Sequence, residues 1–405
     1  MNHTMGYLQD YLTYNKGNEC PEAYHVWSAL SVLSSVVSRK VWLDLGYFHV
    51  LCNLYTCLVG EQGGRKTVAK DIAYDLLKEV EPTLPCSGES MTKEAITRFM
   101  ASEECTRFFT MPDGAPVEYH PFTIFITELK NFLSINIAGM LDFLTTIYDR
   151  KFYDVITKHQ GTDVLVNPYV VLLACETPDW IVSRLRESII SGGFSRRMVW
   201  VYSNVDKRIA FPVVTPEASA AWLRVKDCLR RASQLVGEFR MDDATRSFYQ
   251  LWYESQKLPD DPLIRGYVRV KHILALKTAM LIAIGEQQEL LLRKEYLELA
   301  IALLESNEKD LPRLTQGAGR NVLAHPAVRL LETVEKAGGF ISEKDLRRVM
   351  FAQLDNAEFY SVLQHLTTTE QLRVIEDKRG PVVRRCIATP EYIEALKKGS
   401  SEQHR

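Results

Sequence analysis

The segment Leu58-Val59-Gly60-Glu61-Gln62-Gly63-Gly64-Arg65-Lys66-Thr67 constrains this chain more than any other. The apolar run Asn53–Val59 precedes it and reads as a buried strand. The helical pattern Val68–Val80 follows it and stops before Pro82 and Pro85. A glycine-rich turn between strand and helix, closing on Lys-Thr, fits the pattern G-x-x-x-x-G-K-[ST]. Its physics is a ring of backbone N–H groups, opened by glycines, wrapped round phosphate oxygens at a helix N-terminus. Gly60, Gly63, Gly64 and Arg65 would line the phosphates, and Lys66 would reach the β and γ groups. Thr67 would set its hydroxyl on Mg²⁺. The ligands expected are therefore ATP and Mg²⁺. One position departs from the pattern, because Arg65 stands where a glycine is expected before the lysine. The alternative is a glycine-rich turn carrying a solvated Arg-Lys pair.

Downstream, Phe122–Thr127 is an apolar strand that runs into Glu128. A parallel strand delivers its C-terminal residue to the same sheet edge as the phosphate loop. Glu128 is then the candidate for polarising the attacking water. The acid expected just before it is Thr127, whose hydroxyl can hold a metal-bound water but supplies no charge, which counts against efficient hydrolysis. A solvated glutamate closing a strand is the alternative. Tyr169–Cys175 and Met198–Tyr202 are further all-apolar runs, and strands of this kind between helices predict a parallel sheet covered on both faces.

A chain of 405 residues is too long for one core. The pattern divides it into an N-terminal helical segment with short strands (1–51), an α/β core (52–212), a helical segment (213–314), a Gly-rich linker (315–324), a small domain (325–395) and a disordered tail (396–405). With 49 Lys+Arg against 51 Asp+Glu, any nucleic-acid surface must be a local patch. None of the eight cysteines has zinc-ligand spacing. The N-terminus is polar and no run approaches the ~18 apolar residues of a membrane span, so a cytoplasmic protein is expected.

Three segments carry a resemblance. Glu22-Ala23-Tyr24-His25-Val26-Trp27-Ser28-Ala29-Leu30, the loop 53–67 and Gly192-Gly193-Phe194-Ser195-Arg196-Arg197 look like a phage and mobile-element family of helicase-like P-loop NTPases, similar to AAA+ and RecA-type replicative motors. That likeness covers roughly residues 20–320, and the layout also resembles the AAA+ core of minichromosome-maintenance helicases. That resemblance implies a ring, such as a hexamer, acting on DNA during replication, with single-stranded DNA in its channel and a primase or other replication protein as a possible partner. It implies that the hairpin 152–166 touches DNA through Lys158 and His159 at its tip, and that Thr177 or Glu176 senses the γ-phosphate. Arg196 or Arg197 resembles the finger inserted into a neighbour's site, and Arg269 or Lys271 the phosphate sensor of a helical lid. A surface hairpin and locally salt-bridged arginines are the alternatives.

The last segment reads as three helices and a β-hairpin, the winged-helix arrangement. Lys378, Arg379, Arg384 and Arg385 cluster on the wing, but ten Lys+Arg are balanced by ten Asp+Glu between His325 and Tyr392. DNA contact and protein contact stay equally open. Three functions follow: a ring-forming DNA helicase or translocase, a slow nucleotide-gated DNA-binding ATPase such as a helicase loader or initiator, and a non-catalytic P-loop scaffold.

Overall fold

A computed structural model describes residues 6–87, 91–134, 136–157, 161–184, 193–205, 207–314, 324–351, 354–377 and 380–385. The chain divides into two compact units, Met1–Leu314 and Thr315–Arg405.

The first unit is mixed α/β. Its central sheet has five parallel strands: β3 (Tyr55–Val59), β4 (Cys86–Ser87), β6 (Pro116–Ile126), β9 (Pro168–Glu176) and β10 (Met198–Tyr202). They lie in the order β10-β3-β9-β6-β4, and β5 (Arg107–Thr110) pairs antiparallel with the start of β6. Every residue of β3 and β9 is buried, because helices cover both faces. Neighbouring side chains on β3 show it. The Tyr55 hydroxyl donates to the Leu144 carbonyl of α6 (Ile137–Ile147) at 3.1 Å, and its ring meets Phe194 of α8 (Gly193–Arg197). Thr56 points the other way, its hydroxyl 3.3 Å from that of Ser31 of α2 (Glu22–Val37).

The apolar strand read at Phe122–Thr127 starts earlier in the structure, at Pro116, and β6 runs unbroken through Pro121. The His120 N–H donates to Asn167 on the β9 side, and the Thr123 N–H to Pro85 on the β4 side. The N–H that Pro121 lacks would therefore face the β4/β5 side. There it falls between the last residue paired with β5, Tyr119, and the first paired with β4, Thr123, so no ladder bond is lost.

Helix α2 is buried from Tyr24 to Val37 on every side, and three of its four serines meet that burial by bonding to backbone carbonyls. Ser31 and Ser35 donate to the carbonyls of Trp27 and Ser31, and Ser34 to that of Cys52. It packs on the sheet beside α1 (Gly6–Asn15) and α3 (Lys66–Val80).

The segment 213–314 is not wholly helical, contrary to the sequence pattern. Between α9 (Pro216–Ala232), α10 (Asp243–Ser255), α11 (Pro262–Gln287) and α12 (Lys294–Glu308) lie β11 (Gly237–Met241) and β12 (Leu291–Leu292). They join the hairpin of β1 (Val41–Asp44) and β2 (His49–Leu51) in a second sheet, order β12-β11-β1-β2. The N-terminal segment and the later helices are thus stitched together by strand pairing. Helix α11 begins at Pro262, so Arg269 lies in its interior. Strands β7 (Phe152–Thr157) and β8 (Gly161–Val166) form the expected hairpin. Among the described residues no helix is long and apolar enough to cross a membrane.

In the second unit, α13 (Ala324–Lys336), α14 (Glu343–Met350) and α15 (Asn356–Thr368) pack around Leu330, Leu346, Phe359, Val362 and Val383. A three-stranded sheet joins them, β13 (Phe340–Ser342), β14 (Leu372–Asp377) and β15 (Gly380–Arg385), in the order β13-β15-β14.

Candidate functional site

The carboxyl ends of the parallel strands share one sheet edge, and β3 and β9 are neighbours there. The chain leaves β3 through α3 on the α2 face. It leaves β9 through α7 (Pro178–Arg184) and α8, and α8 lies on the α6 face. Loops parting to opposite faces open a crevice at the strand ends, the ordinary ligand position in such sheets.

The loop 60–67 forms one wall. A Cβ at Gly60 would collide with the Tyr24 hydroxyl and stand 2.7 Å from the Ser203 carbonyl, and one at Gly64 would stand 2.9 Å from the Glu61 carbonyl. Gly63 has φ +78° and Arg65 φ +59°, so two left-handed residues curl the backbone into a nest before α3 begins at Lys66. The Lys66 ammonium donates to the carbonyls of Gly60 and Glu61 at 2.6 and 2.8 Å. Burial lowers its pKa, while the Cys175 and Cys57 thiols and the carboxylates of Glu176 and Glu61 act in the opposite direction. Thr67 is exposed in the first turn of α3. Backbone nest, ammonium and first-turn hydroxyl suit a Mg²⁺-bound triphosphate. Among the described residues no cluster of three or more His, Cys, Asp or Glu could hold a metal by protein ligands alone.

Arg65 takes the left-handed conformation that glycine would adopt without cost. Its side chain is fixed by Glu19, which the sequence did not single out. The Arg65 Nε donates to Glu19 Oε2 at 2.8 Å, with Nη2 at 2.7 Å, and Ile209 N–H donates to Oε1 at 2.8 Å. The Ile209 N–H and Arg65 hold the Glu19 carboxyl below its ordinary pKa. One carboxylate thus ties the loop before α2 to the loop 60–67 and to the segment after β10.

Strand register sets the acids. Val59 pairs with Glu176, and Ile126 with Ala174, so Gly60, Glu176 and Glu128 stand almost level across three strands. Glu176 is 3% exposed. It accepts the Lys130 N–H at 2.8 Å through Oε2 and the Thr177 N–H at 2.8 Å through Oε1, and its carbonyl accepts the Gly60 N–H at 3.3 Å. Thr177 is half-buried and turns its hydroxyl toward the same Oε1 at 3.3 Å. Of the two sensor candidates, Glu176 occupies the crevice wall beside the loop. Glu128 is more open, with its carboxylate near Lys130 Nζ at 3.1 Å and accepting from Asn131 at 2.9 Å. Thr127 is half-buried beside it.

A cavity of about 640 Å³ opens next to the loop, lined by Thr13, Asn15, Cys20, His25, Lys207 and Thr215 among others. Cys20 belongs to both, since its thiol lies 3.5 Å from the Arg65 carbonyl. Burial depresses His25 to about 4, so a neutral imidazole faces this space at neutral pH.

Arg196, Arg197, Arg269 and Lys271 do not join this crevice. Arg196 and Arg197 end α8, at the start of β10, whose Met198 pairs with Tyr55 at the opposite end of β3. One strand length, roughly 13 Å, separates them from the loop of their own chain. Arg197 is occupied at that far edge. It donates to the Gly193 carbonyl at 3.0 Å, lies 5.5 Å from the Tyr148 ring and 3.9 Å from Asp149. Arg196 is exposed, with its stem against Gly266 of α11, one turn from the exposed Arg269. Lys271 is buried and bound to Glu308 at 2.8 Å, a structural link between α11 and α12. Lys158, His159, Gly192, Lys378 and Arg379 lie outside the described residues. In the second unit, α15 carries no Lys or Arg and begins with a capping box of Asp355 and Glu358. A groove-reading helix presents that end to DNA, and here it is acidic.

No protein-family model matches the chain, and no curated protein is significantly similar to it.

Proposed function

We propose that the chain is a P-loop NTPase that binds Mg²⁺·ATP at residues 60–67 and works on DNA as a homo-oligomer, as a helicase or translocase. The observation that carries this reading is the crevice between β3 and β9, where a glycine nest, Lys66, Thr67 and two acids meet at one sheet edge. In it Lys66 exchanges its two carbonyl partners for phosphate oxygens, Thr67 turns its hydroxyl to the metal, and Glu128 orients water. Glu176 holds the ends of β9 and the Glu128 turn in register. The neighbouring cavity suits the nucleoside, with the neutral His25 ring and the Cys20 thiol on its wall.

The far-edge position of Arg196 supports an active site shared between copies, since an arginine there serves a neighbour and not its own loop. Mixing an Arg196→Ala chain with a Lys66→Ala chain should restore part of the ATPase activity that each lacks, about a quarter in randomly assembled dimeric interfaces. Absence of restoration in a mixture proven to co-assemble assigns Arg196 to its own subunit's structure and removes the ring.

A slower nucleotide-gated switch is favoured by Glu19 and Thr127. Glu19 stiffens the loop through Arg65, and Thr127 adds no charge to the metal shell. Thr127→Asp should then raise turnover severalfold in a steady-state ATPase assay. A fall in turnover with unchanged binding would leave Thr127 fitted to fast hydrolysis and exclude the switch.

A further inference from the structure

The edge opposite the phosphate loop carries a second cavity of about 460 Å³, between the β1–β2 hairpin, residues 149–151 and α11. We propose that this cavity binds single-stranded nucleic acid, with Tyr47 and Phe48 stacking on bases and Arg39 and Lys151 contacting phosphates.

The hairpin tip is built to hold its rings in solvent. Gly46, at φ +84°, donates its N–H to Asp44 at 2.7 Å, and Leu45 N–H closes the turn on the Phe48 carbonyl at 3.1 Å. Tyr47 is 102% exposed and Phe48 53%. Two adjacent aromatics on a braced turn, beside a cavity they line, are poor surface residues and good stacking platforms. Phe152, the residue after the lining Lys151, is also 67% exposed.

The cavity is cationic. Arg39 is pinned by donating through Nη1 to the Pro168 and Arg150 carbonyls at 2.8 and 3.4 Å, and among the described residues its Nε and Nη2 donors bond to nothing else. Lys151 is exposed. Asp149 is the acid among the lining residues, and Lys277 and Arg197 already neutralise it at 3.4 and 3.9 Å. Lys277 itself is buried, donates to Asn53 at 2.7 Å and sits 3.9 Å from the Tyr148 ring. A polyanion with flat, unpaired bases matches this surface better than a peptide. A peptide would need an apolar pocket, and the rings here stand proud of the surface. The root of the β7–β8 hairpin adjoins the cavity, since the Asn167 N–H bonds to the Lys151 carbonyl at 2.6 Å.

The site shares no residue with the phosphate loop, so its test does not depend on ATP. Fluorescence anisotropy of the full chain, without nucleotide, would use labelled oligo(dT), oligo(U) and a duplex of equal length. Tyr47→Ala and Phe48→Ala should each weaken single-strand binding about tenfold with an unchanged salt slope. Lys151→Ala should weaken it and reduce the salt slope by about 0.7. The dT and U arms tell which strand is preferred. Because both rings are exposed, the variants should melt like the parent. Parent-like binding by Tyr47→Ala and Phe48→Ala overturns the proposal. So does equal binding of the duplex, or retention of a protein partner in place of the oligonucleotide.

Discussion

Lys66→Ala is expected to weaken ATP binding about a hundredfold or more and to leave the melting temperature where it was. In the proposed site the lysine is the residue whose charge the triphosphate would meet, and a charge-assisted hydrogen bond lost is worth ~1.5–3 kcal/mol. Two such contacts, at about tenfold per 1.4 kcal/mol, give that factor. Little stability is lost because the Nζ partners are backbone carbonyls, one of them that of the exposed Glu61, which water can serve after substitution. Titration with a fluorescent ATP analogue, beside a thermal melt, reads both quantities. A variant that binds ATP normally reduces residues 60–67 to a glycine-rich turn. One that unfolds makes Lys66 a structural residue.

What local pattern determines was legible in the sequence. Tyr55–Val59, Pro168–Glu176 and Met198–Tyr202 are buried on both faces, so they appear as unbroken apolar runs. Strand β11 left a signal too, since Gly237, Glu238, Phe239 and Arg240 alternate between buried and exposed. It lies between α9 and α10, and the helical pattern on either side masks so short an alternation. What depends on strand order was not legible. Glu176 and Thr177 are equivalent as letters after an apolar run. Only the position of β9 between β3 and β6 buries the first and leaves the second half-open. The opposite edge held by Arg196 and Arg197 follows from β10 running parallel to β3, which no spacing encodes.

The Glu19–Arg65 contact joins residues 46 positions apart, and the loop 16–21 that brings them together has no periodicity to read. Arg65 looked like a defect in the phosphate pattern for the same reason. In the folded chain it adopts the left-handed geometry of the glycine it replaces. That conformation costs an ordinary residue roughly 1–2 kcal/mol, and Glu19 fixes the side chain that glycine lacks. The substitution therefore keeps the shape of the loop while coupling it to two other segments, which a glycine at this position could not do.

Two acids lie level at the sheet edge, and substituting each by its amide separates their roles. Glu128→Gln should lower ATP turnover by about 10²–10³-fold, the scale of a lost general base, with binding and melting temperature retained. Its carboxylate is half-exposed, and its neighbours Lys130 and Asn131 can turn to water when the charge is gone. Glu176→Gln should behave differently. Both carboxylate oxygens accept backbone N–H groups, from Lys130 and Thr177, in a site 3% exposed. An amide offers one acceptor oxygen and one NH₂, so one buried N–H would face another donor. An unmet buried group costs ~1–3 kcal/mol, and the melting temperature should fall. The comparison is read from single-turnover hydrolysis, nucleotide binding and thermal melts of the two variants. If Glu176→Gln keeps its stability and loses turnover while Glu128→Gln hydrolyses normally, the base is Glu176, which lies beside the loop on the adjacent strand. The acid that closes β6 then serves only to hold Lys130 and Asn131.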